Sequence, residues 1–160
     1  MENQEVLEDD RSMLTVKIKR LRSDLPLLPL PKTMTEGASG YDLMADIEAP
    51  ITLLPKERIL VPTGILLEIP RGYEAQIRPR SGLAIKQGVT ALNSPGTIDS
   101  DYRGEIKIIL INLGNENVAI KRGDRIAQLV FQKVIEVQWQ EVDELKESIR
   151  GEGGFGHTAV

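Results

Sequence analysis

The chain has 160 residues, and its 20 Lys and Arg against 24 Asp and Glu give a formal net charge of -4. A single domain of this length buries an adequate hydrophobic core without covalent cross-links. With no Cys and one His, the sequence excludes a disulfide framework, a thiolate zinc site, a Cys nucleophile and a multi-His metal site. A catalytic metal would therefore need oxygen ligands, which favours an ion such as Mg²⁺.

The acidic balance argues against a broad nucleic-acid-binding surface, because such surfaces need a basic footprint. A small anionic ligand remains possible, since a few arginines suffice to bind it. No secretory hydrophobic region occurs near the N-terminus, and the longest apolar run, Ile106–Leu113, is far too short to span a bilayer. We therefore expect a cytoplasmic protein that binds neither nucleic acid nor membranes.

Most of the chain has the pattern of short β-strands. Residues 1–13 are polar and acidic without periodicity, which predicts a disordered tail. Alternation over 14–21 predicts a half-buried strand. A proline-broken extended segment follows at 26–32, and after it a Gly-bearing segment. The 14 Gly and 9 Pro, several of them breaking residues 51–82 at short intervals, indicate many turns between short strands.

The second half continues this pattern. Glu105–Asn112 is rich in β-branched residues and predicts a buried strand. Residues 125–142 begin as another strand; a helix is conceivable there, but Val134, Ile135 and Val137 favour β-structure. The Gly-rich end from Arg150 is either a frayed tail or an arm that orders over a ligand. The sequence thus predicts one all-β domain, a sandwich or barrel, at 14–145, with a C-terminal segment at 146–160.

Two loops carry candidate functional residues. In Arg78–Ala84, arginine forks suit phosphate oxygens, and Ser81 with the Gly82 backbone adds donors; the alternative is a surface turn. Turn-forming residues after Ala91 lead to Asp99 and Asp101. In an extended segment this spacing would pair the two carboxylates for a general base or a metal-bound water. The alternative is a hairpin loop that favours Asp.

Two further segments hold a polar side chain beside a predicted strand. Asp42 follows a Gly-rich bend, which otherwise reads as a plain loop, and Gln128 interrupts an apolar strand pattern, where it either has a partner or faces solvent. No phosphate-binding loop of the P-loop or Rossmann type occurs. A Ser-His-Asp triad would need His157, which lies in the Gly-rich end.

Taken in order, five segments resemble the five motifs of the homotrimeric all-β dUTPases. They run from Ala38 to Thr158 and read ASGYDL, RPRSGLA, NSPGTIDSDYRGE, GDRIAQL and RGEGGFGHT. The resemblance implies a jelly-roll-like β-barrel or sandwich subunit that forms a trimer. Each active site would draw on three subunits, and a flexible C-terminal arm at 146–160 would close over a neighbour's site.

The resemblance also implies a reaction. Mg²⁺-assisted hydrolysis of dUTP would give dUMP and pyrophosphate, keeping uracil out of DNA and supplying dUMP for thymidylate synthesis. Asp99 would activate the water that attacks the α-phosphorus, and Asp42 would reach the metal through water. The implied substrate-binding residues are Arg80, Ser81, Gly82, Asn93, Gly96, Thr97, Ile98, Tyr102, Gln128, Arg150, Phe155, Gly156 and His157.

Within that set, the parts of the substrate are divided among the motifs. The hairpin from Asn93 would pair with the uracil edge and exclude the methyl group of thymine. Tyr102 would pack on the deoxyribose and leave no room for a 2′-hydroxyl. Arg80, Ser81, Gly82 and Gln128 would hold phosphate oxygens, while from the arm Phe155 would stack on uracil and Arg150 would neutralise phosphate charge.

The chain departs from the family pattern near its end, where the family usually has Ser at the position of His157 and often Gly at that of Ala159. We hypothesise that His157 replaces the serine hydroxyl as a phosphate donor. Alternatives remain open: a dCTP deaminase-like or bifunctional member of the same fold family, a nucleotide-sensing binding module, or a structural jelly roll.

Overall fold

The structure, a computed structural model, describes residues 13–22 and 24–154, which form eleven strands and one helix. In chain order these are β1 (Lys17–Arg20), β2 (Tyr41–Met44), β3 (Ile51–Leu53), β4 (Arg58–Pro62), β5 (Ile65–Glu68), β6 (Tyr73–Arg78), α1 (Ser81–Gln87), β7 (Val89–Ala91), β8 (Gly96–Ile98), β9 (Lys107–Asn112), β10 (Val118–Ile120) and β11 (Arg125–Lys133). Among the described residues, no helix has the length and apolar character needed to cross a membrane.

The strands pair antiparallel in four sheets around one hydrophobic core. The largest sheet has the order β2-β11-β6-β8, the next has the order β4-β9-β7, and β1-β5 and β10-β3 form two-stranded sheets. Each sheet contributes to the core; its fully buried side chains include Leu43, Leu53, Ile108, Leu110 and Leu129. The prediction of an all-β domain is therefore confirmed.

Two predicted strands differ from the observed ones at their ends. The strand expected over 14–21 is limited to β1, which is mostly exposed. The strand expected to begin at 125 does begin there, but β11 ends at Lys133. The following apolar side chains stay exposed, with Ile135 at 84% and Trp139 at 91%. Their strand-forming residue types meet no partner strand within the described part of the subunit, so the extended prediction beyond 133 is wrong for one subunit.

The helix α1 was not predicted from the sequence. It buries none of its residues, so it lacks the apolar stripe by which an amphipathic helix is recognised. Its limits are set by backbone conformation: Arg80 is extended just before it, and Gly88 ends it at φ 68° with an N–H donated to the Ala84 carbonyl. A left-handed glycine is a common helix end. The helix begins at Ser81, inside a candidate phosphate-binding segment.

Candidate active site

Three of the motif segments meet on the large sheet. The antiparallel register places Asp42 of β2 opposite Gln128 of β11, and Gln128 opposite Arg78 of β6. The chain leaves β6 through Pro79 to Arg80, directly before α1. Segments that are far apart in sequence therefore present their polar side chains at one end of the sheet.

Asp42 is the centre of an ion-pair cluster at this end. Its Oδ1 lies 3.0 Å from Nε of Arg80, and its Oδ2 lies 3.0 Å from Nη1 of Arg125. Arg80 also donates through Nη1 to the Arg125 carbonyl at 3.0 Å. The Asp42 side chain is only 12% exposed, whereas those of the two arginines are 27% and 40% exposed. One carboxylate thus orients two cations, which leaves positive charge facing solvent.

Gln128 is fixed by the backbone around it. Its Nε2 donates to the Pro79 carbonyl at 2.9 Å. On the other side, a Cβ at Gly40 would lie 2.0 Å from Gln128 Oε1, a distance no real contact allows. Glycine at position 40 therefore leaves the room that this amide occupies, and a larger residue would displace it. The interpretation that Gln128 has a partner is correct. The position of its amide depends on two motif segments, those that contain Pro79 and Gly40.

These groups line one open cleft together with the first turn of α1. The lining includes Gly40, Asp42, Arg78, Arg80, Ser81, Gly82 and Gln128. Ser81 and Gly82 are exposed, and the first N–H groups of a helix have no partners within the helix. Guanidinium groups, a hydroxyl and backbone N–H donors are the groups that bind phosphate oxygens. The structure brings Arg80, Ser81, Gly82 and Gln128 to one cleft, and their binding of phosphate stays a prediction.

The loop between β7 and β8 holds Asn93, and β8 itself holds Gly96, Thr97 and Ile98. The hairpin expected here is wrong, because β7 pairs with β9 and β8 pairs with β6 in a different sheet. Gly96 is buried, and a Cβ there would lie 2.9 Å from Nδ2 of Asn93, so glycine lets the loop pack closely against the start of β8. The Ser94–Pro95 peptide bond is cis. In the large sheet, β8 stands at the edge beside β6. Alternate backbone N–H and C=O groups of an edge strand face away from the sheet, where a planar polar ligand can pair with them.

Asp99 follows β8 in a loop. The Tyr102 N–H donates to the Asp99 carbonyl at 3.2 Å and closes a turn over Asp99–Tyr102. The extended interpretation of the Asp99–Asp101 spacing is therefore wrong, and the loop interpretation is correct. Asp99 is exposed, and the Tyr102 ring is 44% exposed. Both side chains are available to a molecule outside the subunit.

Within the described part of one subunit, the candidate residues fall into two separate groups. Asp99 lines a second cleft with Ser100, Asp101 and residues of β6, and this cleft includes none of the phosphate-binding candidates. Arg150 is exposed and donates through Nε to the Gly153 carbonyl at 2.6 Å, within its own turn. Phe155, Gly156 and His157 lie outside the described residues.

Sequence reasoning missed Gly40, which lines the first cleft, and Arg125, which pairs with Asp42 beside it. Arg125 was not a candidate although it lies in the GDRIAQL segment, where an arginine three residues before Gln128 was the available signal. Gly40 was not singled out either. For a metal, the described residues contain no cluster of three His, Cys, Asp or Glu side chains. Asp42, with both oxygens already paired, suits contact with a cation through water and not direct ligation.

Comparison with known proteins gives a consistent result. The sequence profile of the dUTPase family matches residues 28–159. Deoxyuridine 5′-triphosphate nucleotidohydrolase from Caldanaerobacter subterraneus subsp. tengcongensis is 56% identical over 147 residues, covering 92% of this chain and 99% of the relative. The enzyme of the same name from Fusobacterium nucleatum is 53% identical over 146 residues, covering 91% of this chain and 99% of the relative.

A solved structure agrees with these matches. The dUTPase of Staphylococcus bacteriophage 80alpha, determined with dUpNHpp, superposes with a TM-score of 0.77 at 26% identity, covering 91% of this chain and 99% of the other. The dUTPase of phage phi11, whose structure describes the coordination of a structural Mg(II) ion, has a TM-score of 0.69 over 81% of this chain and 97% of the other; at 22% identity it shows the fold alone. The profile match and the identity over nearly the whole chain establish that this protein belongs to the dUTPase family.

Proposed function

We propose that this dUTPase acts as a homotrimer in which each active site combines clefts from different subunits around dUTP and Mg²⁺. Membership of the family gives the reaction, in which dUTP and water yield dUMP and pyrophosphate. The observation that carries the proposal is the separation of Asp99 from the cleft of Arg80 and Gln128. Because Asp99 does not line the cleft of Arg80 and Gln128, we infer that a second subunit brings the attacking water and the phosphates together.

An apolar sheet face supports the association of subunits. Leu60 of β4 pairs with Ile109 of β9, and Ile111 follows two residues further on the same face. Leu60 is 57% exposed, and Leu92, whose N–H donates to the Ile109 carbonyl, is 47% exposed. A sheet face of this kind is stabilised by burial against another apolar surface. Copies of the same chain are the partners we propose.

Substrate phosphates are held at the first cleft. Arg80 and the donors at Ser81 and Gly82 bind phosphate oxygens, and the Gln128 amide adds a neutral donor. Arg125 and Arg80 together keep Asp42 in place, and the guanidinium N–H groups of Arg80 that face the cleft bind phosphate oxygens. The same oxygens of Asp42 can then accept hydrogen bonds from water in the shell of a metal ion.

Mg²⁺ is expected to arrive with the triphosphate, which supplies most of its oxygen ligands. The donor set of the cleft fits this, since Asp42 is the acidic side chain of its lining and both of its oxygens are paired with arginines. When bound, the ion neutralises charge on the phosphates and so makes the α-phosphorus more open to attack. The protein contributes orientation of the triphosphate through Arg80 and Gln128.

Recognition of the nucleoside is assigned to the second group. Backbone donors and acceptors of the β8 edge pair with uracil, and the close-packed loop before β8 excludes a 5-methyl group by shape. Tyr102 packs on the deoxyribose and excludes a 2′-hydroxyl. Asp99 orients a water molecule and accepts its proton as the oxygen attacks the α-phosphorus, which releases pyrophosphate.

The C-terminal arm at 146–160 completes the proposal. Phe155 stacks on uracil, Arg150 and His157 neutralise phosphate charge, and Gly156 allows the arm to lie close to the ligand. Closure over a neighbour's site would exclude water other than the nucleophile. The residues 1–13 remain a proposed tail outside the β domain at 14–145, and the cytoplasmic location remains an expectation.

Subunit complementation tests the shared site. Two inactive variants, Arg80→Ala and Asp99→Asn, are unfolded together in denaturant, refolded as a mixture and assayed for pyrophosphate release from dUTP with Mg²⁺. If sites are shared, mixed trimers contain some sites with both residues intact, and activity returns. Each variant refolded alone serves as control. A mixture that stays inactive while forming mixed trimers would contradict the shared site, and ammonia release from dCTP would instead support a deaminase.

A further inference from the structure

Among the hydrogen bonds of the described residues, the one that joins the loop of Tyr102 to the rest of the subunit is made by the side chain of Glu105. Within the loop the contacts are local: the Tyr102 N–H donates to Asp99, and Arg103 donates through Nη1 to the carbonyls of Ser100 and Tyr102 at 2.7 and 2.9 Å. These contacts shape the loop but do not fix its position on the protein.

Glu105 supplies that position through its side chain. Its Oε1 accepts the Gly64 N–H at 3.0 Å, and its Oε2 lies 3.5 Å from Nζ of Lys107. The side chain is 17% exposed. Gly64 has a tertiary contact of its own, since its carbonyl accepts the Leu21 N–H at 2.9 Å. Its φ is +69°, and a Cβ there would lie 2.2 Å from Oδ2 of Asp46. A half-buried carboxylate bonded to a fixed backbone N–H is a strong local anchor.

The backbone of Glu105 fixes the tyrosine ring. The Tyr102 hydroxyl donates to the Glu105 carbonyl at 3.0 Å. The ring lies over Gly104, where a Cβ would be 2.3 Å from the phenolic oxygen and 2.5 Å from Cζ. The side chain of Glu105 thus binds the β4–β5 turn, while its backbone carbonyl accepts the hydrogen bond from the Tyr102 hydroxyl. One residue couples the position of Tyr102 to the core of the subunit.

We propose that Glu105 is a positioning residue that sets the discrimination between deoxyribose and ribose nucleotides by holding Tyr102 at a fixed distance from the sugar. The inference rests on the proposed contact of Tyr102 with the sugar. Steric exclusion of one hydroxyl requires a wall that does not retreat, because a displacement of about 1 Å is enough to relax the fit of a bound substrate. Removing the anchor lets the ring retreat and admits the 2′-hydroxyl.

The test compares kcat/KM for dUTP and UTP in the full chain with Mg²⁺. For Glu105→Ala we expect the dUTP-to-UTP ratio to fall about tenfold, the effect of losing one hydrogen bond to a charged acceptor. We expect the larger change for UTP, with a lower KM and a higher kcat. The change in kcat for dUTP should be smaller. Glu105→Gln keeps an oxygen that accepts the Gly64 N–H, so it should retain the wild-type ratio.

A matched control removes the same type of contact elsewhere. Glu57 Oε2 accepts the Leu54 N–H at 2.8 Å in the β3–β4 turn, and Glu57→Ala should leave the ratio unchanged. If Glu105→Ala does not fold, Glu105→Asp keeps the charge but is one methylene too short to reach Gly64, and the same fall is expected.

Three outcomes overturn the inference. The first is a wild type that prefers dUTP and a Glu105→Ala variant with the same dUTP-to-UTP ratio. Where Glu105→Asp replaces that variant, the same result in Glu105→Asp counts equally. The second is an equal fall in Glu57→Ala, which would reveal general loosening. The third is a wild type with no preference, and this alone also overturns the proposed role of Tyr102.

Discussion

Asp42 and Arg80 form an ion pair at the base of the phosphate-binding cleft, with Asp42 Oδ1 3.0 Å from Arg80 Nε. The pair joins a strand of the large sheet to the residue that precedes α1, so it fixes the arginine before any ligand arrives. Arg125 holds the second carboxylate oxygen at the same distance. A triphosphate therefore meets a cation that is already oriented, and the cost of ordering a long flexible side chain has been met by folding.

We expect Asp42→Asn to lower both stability and the apparent affinity for Mg²⁺. The substitution leaves two arginines without their anion in a partly buried place, which costs about 1–3 kcal/mol of unfolding free energy. Urea unfolding measures the first effect, and the Mg²⁺ concentration for half-maximal rate measures the second.

The control for this change is Asp24→Asn. The Arg22 guanidinium lowers the pKa of the Asp24 carboxyl through a side-chain hydrogen bond, but Asp24 is exposed. Exposed ion pairs contribute little. Equal loss of stability in the two variants, or an Asp42→Asn enzyme with an unchanged Mg²⁺ requirement, would contradict the assignment.

Gly40→Ala should weaken triphosphate binding by displacing the Gln128 amide. The added Cβ would lie 2.0 Å from Gln128 Oε1, so the amide has to rotate away from its place in the cleft. We expect KM for dUTP to rise about tenfold, the value of one hydrogen bond, with a smaller change in kcat. Gly37→Ala is the matched control, because nothing lies within 4 Å of a Cβ there. A KM for Gly40→Ala equal to that of Gly37→Ala would show that the amide does not bind substrate.

The contrast between Gln128 and Arg125 shows what the sequence could predict. Gln128 stood out because an amide in an apolar strand pattern needs a partner, and the structure provides one in Pro79. Arg125 begins the same strand, where a charged residue is ordinary, so its place in the GDRIAQL segment was the one signal that pointed to it. Its role depends on the register between β11 and β2, which brings it to Asp42. Such register is a tertiary property that periodicity does not contain.

The ends of elements show the same limit. Helix α1 depends on backbone conformation at Arg80 and Gly88 and has no buried side chain, so no apolar period reveals it. Val137 and Trp139 have strand-forming side chains, but in the described subunit they are exposed at 63% and 91%. Residue type predicts that such side chains are buried in some assembly. It does not say which molecule covers them, and we propose that a second subunit does.

Asp99→Asn should remove turnover while preserving binding. An amide cannot accept the proton of the attacking water, and loss of a positioned general base lowers kcat by about 10²–10⁴-fold. Isothermal titration with a non-hydrolysable dUTP analogue should give a Kd within about threefold of wild type, because phosphate contacts dominate binding. Asp101→Asn, two residues further in the same turn, is the control and should keep its kcat. An Asp99→Asn variant with near-normal kcat would exclude Asp99 as the base.

Leu60→Asp should dissociate the proposed trimer. It places a charge in the centre of the apolar face opposite Ile109, and burying an unpaired carboxylate costs several kcal/mol. Analytical ultracentrifugation should show smaller species, and activity should fall with the loss of the oligomer because the sites are shared. The control is Leu54→Asp, which changes a leucine of similar exposure, 48% against 57%, that directly follows β3. This variant should stay trimeric. A Leu60→Asp variant that stays trimeric, or is active as a monomer, would refute the arrangement.

His157→Ser should remove a pH dependence of substrate affinity that the wild type has. Imidazole changes its charge between about pH 5 and 8, so a protonated His157 attracts a triphosphate at pH 6 and a neutral one does so less at pH 8. In the wild type, KM for dUTP should therefore be lower at pH 6 than at pH 8. Serine at this position, as in most of the family, donates a hydrogen bond without titrating. The ratio of KM at pH 8 to KM at pH 6 should therefore be smaller in the variant than in the wild type. Because the triphosphate also titrates in this range, the informative quantity is the difference between the two proteins. Identical ratios in wild type and variant would show that His157 does not act on the phosphates.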